Sequence, residues 1–151
     1  MLSRFVAAGF GTGFAPLVPG TVGSAAAALI GAALLWVSPW LLGLAILLVS
    51  AGGYEAVRRA VPRGDPNWVV IDEFAGQWVT LLALPGPSVA GVFVAFILFR
   101  IFDITKLGPI GWADRQHGAF GIMADDVIAG VVAAVLLAAL RLFWPAALSW
   151  A

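Results

Sequence analysis

Five carboxylates in three short motifs are the residues of this chain most able to do chemistry. Ile71-Asp72-Glu73-Phe74-Ala75-Gly76 and Gly121-Ile122-Met123-Ala124-Asp125-Asp126 each set two adjacent acids before a run of apolar residues. Between them, Phe99-Arg100-Ile101-Phe102-Asp103-Ile104-Thr105-Lys106 spaces a cation, an acid and a second cation by three, so all three share one broad face of a helix. The chain has no cysteine, and its one histidine, His117, lies in a polar Asp114-Arg115-Gln116-His117-Gly118 segment that reads as solvated loop or as a proton shuttle. A metal here must therefore be held by oxygen or by His117. Asp72, Glu73, Asp125 and Asp126 are the candidate ligands, and a hard all-oxygen set suits Mg2+, which takes one or two carboxylates and completes its shell with water and substrate phosphate. Arg100 as a bidentate fork and Lys106 as a point charge are candidate phosphate binders, with Asp103 as a further ligand or as the group that orients a cation.

Each motif also has a plainer reading. An acid in the first turn of a helix meets the helix dipole favourably, and Arg100, Asp103 and Lys106 could form an intrahelical ion pair with Lys106 reaching to an interface. Capping needs only one acid, however, and ionisable groups next to apolar spans are costly enough to signal function. A fourth segment, Gly9-Phe10-Gly11-Thr12-Gly13 followed by Val18-Pro19-Gly20-Thr21-Val22-Gly23-Ser24, is a Gly/Pro-rich loop leading into a helix. Thr12, Thr21 and Ser24 are its candidate substrate contacts; capping of that helix by Thr21 or Ser24 is the structural alternative.

The elements that must position these residues are membrane spans. The chain of 151 residues is 62% hydrophobic and 11% charged, with mean hydropathy +1.03, far from the composition of soluble domains. Apolar stretches at 24–37, 40–54, 68–84, 88–106 and 125–144 lack the period of two of a barrel strand. They predict an all-α polytopic membrane bundle of about five helices, organised as one domain over 1–151. The first two stretches fall short of the about 20 residues of a full span. Ser38-Pro39 and Pro85-Gly86-Pro87 mark tight connections, and the N-terminus lacks the pattern of a cleaved leader. Alternate crossings place Arg4, Arg58, Arg59, Arg63, Arg100, Lys106, Arg115 and all eight acids at one face, leaving Arg141 at the other. By the positive-inside rule the charged face is cytoplasmic. A net charge of zero offers no basic surface for nucleic acid.

Taken together, the motifs resemble the phosphatidylglycerophosphatase A family over residues 9 to about 135. The resemblance rests on the 9–13 and 18–24 segments, Asp72-Glu73-Phe74-Ala75-Gly76, Phe99-Arg100-Ile101-Phe102-Asp103 with Lys106, and Gly121-Ile122-Met123 with Asp125-Asp126 and Ala129-Gly130. It implies a bacterial inner-membrane enzyme that removes the terminal phosphate of phosphatidylglycerophosphate with magnesium, giving phosphatidylglycerol for phospholipid biosynthesis. Members read Lys-Pro-x-Pro where this chain has Lys106-Leu107-Gly108-Pro109. The main rival is a small membrane transporter with a cytoplasmic acidic site, which the acid-free far side disfavours. A lipid-headgroup transferase and a structural membrane subunit are further alternatives.

Overall fold

The computed structural model describes residues 1–143, and over these the chain is helical throughout its regular structure. The order is α1 (Leu2–Ala7), a kinked 3-10 segment (Gly9–Phe14), α2 (Pro19–Val37), α3 (Pro39–Ala60), α4 (Ile71–Leu81), α5 (Val89–Thr105), α6 (Pro109–Asp114) and α7 (Gly118–Phe143). The five longer helices correspond to the five apolar stretches, and the chain is an all-α membrane bundle. Position 144, at the end of the fifth predicted stretch, lies outside the described residues.

Flanking residues lengthen the helices that looked too short. Pro19 occupies the first turn of α2, and Ser38 both ends α2 and starts α3, its Oγ accepting from the Trp40 amide at 3.2 Å. α2, α3 and α7, with 19, 22 and 26 residues, are each long and apolar enough to cross a membrane. α5 has 17 residues, at the lower end of the range for a span, and starts on Ser88, whose Oγ accepts from Gly91 N at 3.0 Å. Trp36 and Trp40 stand exposed at the α2–α3 turn, where aromatic side chains suit a membrane–water boundary.

The third stretch differs from expectation. Only 11 of its residues form α4, about 16 Å of helix, which is half a span. The short helix is shielded instead: it packs against α2, α3, α5 and α7, and only Asp72 and Val79 of its residues are not buried. Trp78 Nε1 donates to the Ala27 carbonyl of α2 at 2.8 Å, and Thr80 Oγ1 to the Gly76 and Gly130 carbonyls at 3.1 and 3.3 Å. Arg141 donates to the Ala83 carbonyl just past the end of α4, satisfying a helix-end acceptor inside the bundle.

Two further expectations are corrected. α7 begins at Gly118, so Asp125 and Asp126 lie two turns inside it, where the dipole offers them nothing and capping cannot explain them. Thr21 and Ser24 lie within α2 and do not cap it; Val18 is the residue before the helix, held at φ 44°.

α4 and α7 approach most closely through glycine. A Cβ on Gly76 would meet the Asp126 carbonyl, and one on Gly130 would meet the Gly76 carbonyl. Gly76→Ala and Gly130→Ala are therefore each expected to destabilise the protein by about 1–3 kcal/mol, the usual cost of overpacking. Gly43→Ala and Gly52→Ala, where a Cβ meets nothing within 4 Å, should not lower stability. Thermal unfolding of the four variants in one detergent checks this contrast.

Candidate active site

The close α4–α7 contact sets Asp72 and Glu73 beside Asp126, because Gly76 and Gly130 each follow their acids by one helical turn. One carboxylate oxygen from each of these three residues lies within 4.8 Å of the others. Glu73 and Asp126 are buried and Asp72 half-buried. Asp125 points elsewhere, into an ion pair with Lys106.

α5 supplies the cations. The Arg100 guanidinium pairs with Asp103 one turn on, lies 3.8 Å from Glu73, and donates to Ser24 Oγ at 3.3 Å and Thr21 Oγ1 at 3.5 Å. Gly20 makes room for this pairing, since a Cβ there would sit 2.5 Å from Glu73 Oε1. Lys106 ends α5 in a left-handed conformation, φ 50°, which turns its side chain back over the acids. It pairs with Asp125 and lies 3.4 Å from Asp103, 3.5 Å from Asp114 and 4.0 Å from Asp126. Lysine is uncommon in that conformation, as is the β-branched Val18, and both residues line the same cavity.

That cavity, of about 350 Å3, opens at the end of the bundle between α2, α4, α5, α7 and the α3–α4 loop. It gathers Asp72, Glu73, Arg100, Asp103, Lys106, Asp125, Asp126 and Thr21 of the candidate residues. Ser24 is reached through Arg100. Thr12 is not brought in: its hydroxyl donates to the Gly9 carbonyl at 2.9 Å, and it does not line the cavity. His117 stands exposed on a neighbouring cavity. Two polar lining residues were missed as site candidates from sequence, Asp65 and Asn67 on the α3–α4 loop. Their signal was weak, a polar Gly64-Asp65-Pro66-Asn67 turn like many others. Asp65 reaches solvent, yet the cavity walls partly desolvate it and raise its pKa, with Lys106 opposing.

The donor set fits a divalent cation. Six carboxylates line the cavity against two cations, Asp72 has no basic partner among the described residues, and Glu73 Oε2 is buried without a hydrogen-bond partner. Like charges packed this closely are unfavourable unless a cation offsets them. The same cavity carries an Arg and a Lys able to receive phosphate oxygens. Acids for a hard cation, bases for an oxyanion and a position at the end of apolar spans together fit a membrane-embedded enzyme that acts on a phosphorylated substrate.

Comparison with known proteins gives the family. Residues 5–141 match the model of the family described as Phosphatidylglycerophosphatase A. A phosphatidylglycerophosphatase A of Escherichia coli K12 is 42% identical over 94% of this chain and 85% of its own length. One of Haemophilus influenzae is 37% identical, over 93% and 89%. A Bacteroides thetaiotaomicron protein provisionally named a phosphatidylinositol-3-phosphatase is 40% identical over 93% and 94%. No solved structure matches. The chain belongs to the phosphatidylglycerophosphatase A family.

Asp72→Asn tests the cation reading without an activity assay, because it relieves repulsion with Glu73 and Asp126 and breaks no ion pair. Without divalent cation the variant should melt about 3 °C above the unsubstituted protein, the shift that about 1 kcal/mol produces in a chain of this size. Added Mg2+ should raise the melting temperature of the unsubstituted protein and leave the variant nearly unmoved. Calorimetry in detergent with and without chelator measures both.

Proposed function

We propose that this protein hydrolyses the terminal phosphate of phosphatidylglycerophosphate, giving phosphatidylglycerol and inorganic phosphate, as one membrane-embedded domain over 1–151 of the bacterial inner membrane. The observation that carries the reading is the convergence of Arg100 and Lys106 on the Asp72, Glu73 and Asp126 cluster in one cavity, in a chain 42% identical to a phosphatidylglycerophosphatase A. Seven of the eight basic residues at the cavity end support a cytoplasmic site under the positive-inside rule.

Each residue then has a role. Asp72, Glu73 and Asp126 are the residues that would hold Mg2+, while Asp125 stays paired with Lys106. An ion held there would supply Lewis acidity, offsetting phosphate charge and lowering the pKa of water at the site. Arg100, already held by Ser24 and Thr21, turns its guanidinium from Asp103 to two phosphate oxygens. Asp125 and Asp103 keep Lys106 over the cavity, where its ammonium meets a third oxygen. Once Arg100 has turned to the bound phosphate, both donors are in place to stabilise charge on the transferring phosphoryl group. In the hydrolysis, water oxygen bonds to phosphorus as the bond to the glycerol oxygen breaks. The water's proton passes to a carboxylate, and the departing alkoxide takes up a proton.

Purified protein in micelles should release phosphate from phosphatidylglycerophosphate in a magnesium-dependent manner. Asp126→Asn and Arg100→Met should each lower kcat/KM on the order of 100-fold or more, the scale seen when a preorganised group at a transition state is removed. Near-normal turnover in both well-folded variants would overturn the assignment. Phosphatidylinositol 3-phosphate belongs in the same assay, because the name of the Bacteroides relative specifies that headgroup; faster release from it would reassign the substrate while keeping the reaction.

A further inference from the structure

The faces of α2 and α5 that line the polar cavity continue past it along both helices. On α2 the lining runs through Gly20 and Thr21 and then through Ala25, Ala28, Leu29 and Ala32, successive steps of three or four residues along one face. On α5 the same progression leads from Asp103 and Arg100 to Phe96, Phe93, Val92 and Val89. Below the polar cavity these stripes bound a second groove of about 420 Å3, almost wholly apolar. Alanines on α2 leave the space, and Phe93 and Phe96 wall it from α5. The groove opens to the outer, lipid-facing surface, where Leu29, Val89 and Phe93 are exposed.

We propose that this α2–α5 groove is the acyl-chain subsite, seating one fatty-acyl tail of the substrate lipid while its phosphate occupies the polar cavity. The inference rests on the lipid phosphatase reading above and names what holds the other end of that substrate. Three features point to a lipid tail and not to a helix of another protein. The groove follows the polar cavity along the same faces of α2 and α5, so a molecule reaching into both would be an anion at one end and a hydrocarbon at the other. Its floor is built of single methyl groups, which suit a narrow chain. The length also fits: from Thr21 to Ala32, and from Arg100 to Val89, the polar cavity and the groove together run along about 16 Å of helix, close to the thickness of one leaflet of a hydrocarbon core about 30 Å thick.

Ala32→Trp fills the groove far from the polar cavity. Its KM for dioleoyl phosphatidylglycerophosphate is expected to rise about tenfold, the loss that follows when two methylenes leave an apolar contact. Its turnover of the deacylated headgroup, which carries the same phosphomonoester without tails, should match that of the unsubstituted protein. Leu47→Trp, on the exposed outer face of α3, should change neither. An unchanged KM in Ala32→Trp, or the same rise in Leu47→Trp, would overturn the subsite. Should Ala32→Trp misfold, the unsubstituted protein decides by photolabelling with phosphatidylglycerophosphate bearing a chain-terminal diazirine. Label concentrated on residues 25–32 and 89–96 supports the subsite. Label spread over the outer face of α3, or equal labelling of the groove by a phosphatidylcholine probe, assigns it to bulk lipid instead. A protein that labels in the groove but hydrolyses neither substrate would leave the subsite standing and remove the phosphatase reading.

Discussion

Charge burial at the edge of a low-dielectric bundle is the constraint on which the rest of this structure depends. A carboxylate taken from water loses several kcal/mol of solvation unless something positive or hydrogen-bonding is near. Here Glu73, Asp125 and Asp126 are buried together with Asp72 and Asp103 alongside, and among the described residues that line the cavity Arg100 and Lys106 are the cations that face them. Lys106 is shared among Asp103, Asp114, Asp125 and Asp126, and Arg100 between Asp103 and Glu73. The arrangement is under-neutralised by its own side chains. A fold selected for stability alone would have fewer acids, and the deficit is consistent with a cavity that takes up a divalent cation.

Holding such a cluster together takes a scaffold that leaves it no room to relax. α4 provides it by being short and enclosed, with α2, α3, α5 and α7 around it. The Gly76 and Gly130 contact brings its backbone against α7, and the indole of Trp78 fastens it to α2. Between helices in lipid there is no hydrophobic driving force, so close backbone approach and interhelical hydrogen bonds carry the association. The glycines that allow this packing are also those that set Asp72 and Glu73 beside Asp126; packing and site have one cause. Strained backbone at Val18 and Lys106 is tolerated at the rim for the same reason, since the surrounding contacts over-determine those conformations.

Composition and the positions of charge determined that this chain is a bundle of membrane helices with nearly all its ionisable residues at one end, because hydrocarbon admits only internally hydrogen-bonded backbone and excludes unpaired charge. The motif residues Asp72, Glu73, Arg100, Asp103, Lys106, Asp125 and Asp126 were legible for the same reason, each being expensive where it stood. Tertiary structure alone decided how they divide. Adjacent positions 125 and 126 read as an equivalent pair, yet consecutive residues on a helix point about 100° apart, so one faces the acid cluster and the other Lys106. Thr12 and Thr21 looked alike in a Gly/Pro-rich segment until helix α2, starting at Pro19, turned one hydroxyl toward Arg100 and left the other on a local carbonyl. Asp65 and Asn67 gave no signal beyond an ordinary turn, because their relevance comes from a loop folding over a cavity made by helices distant in sequence. Residue type carries the cost of a charge in a membrane, and so the sequence shows where a site must be; which side chains meet within it depends on helix phase and on close contacts between segments far apart in the chain.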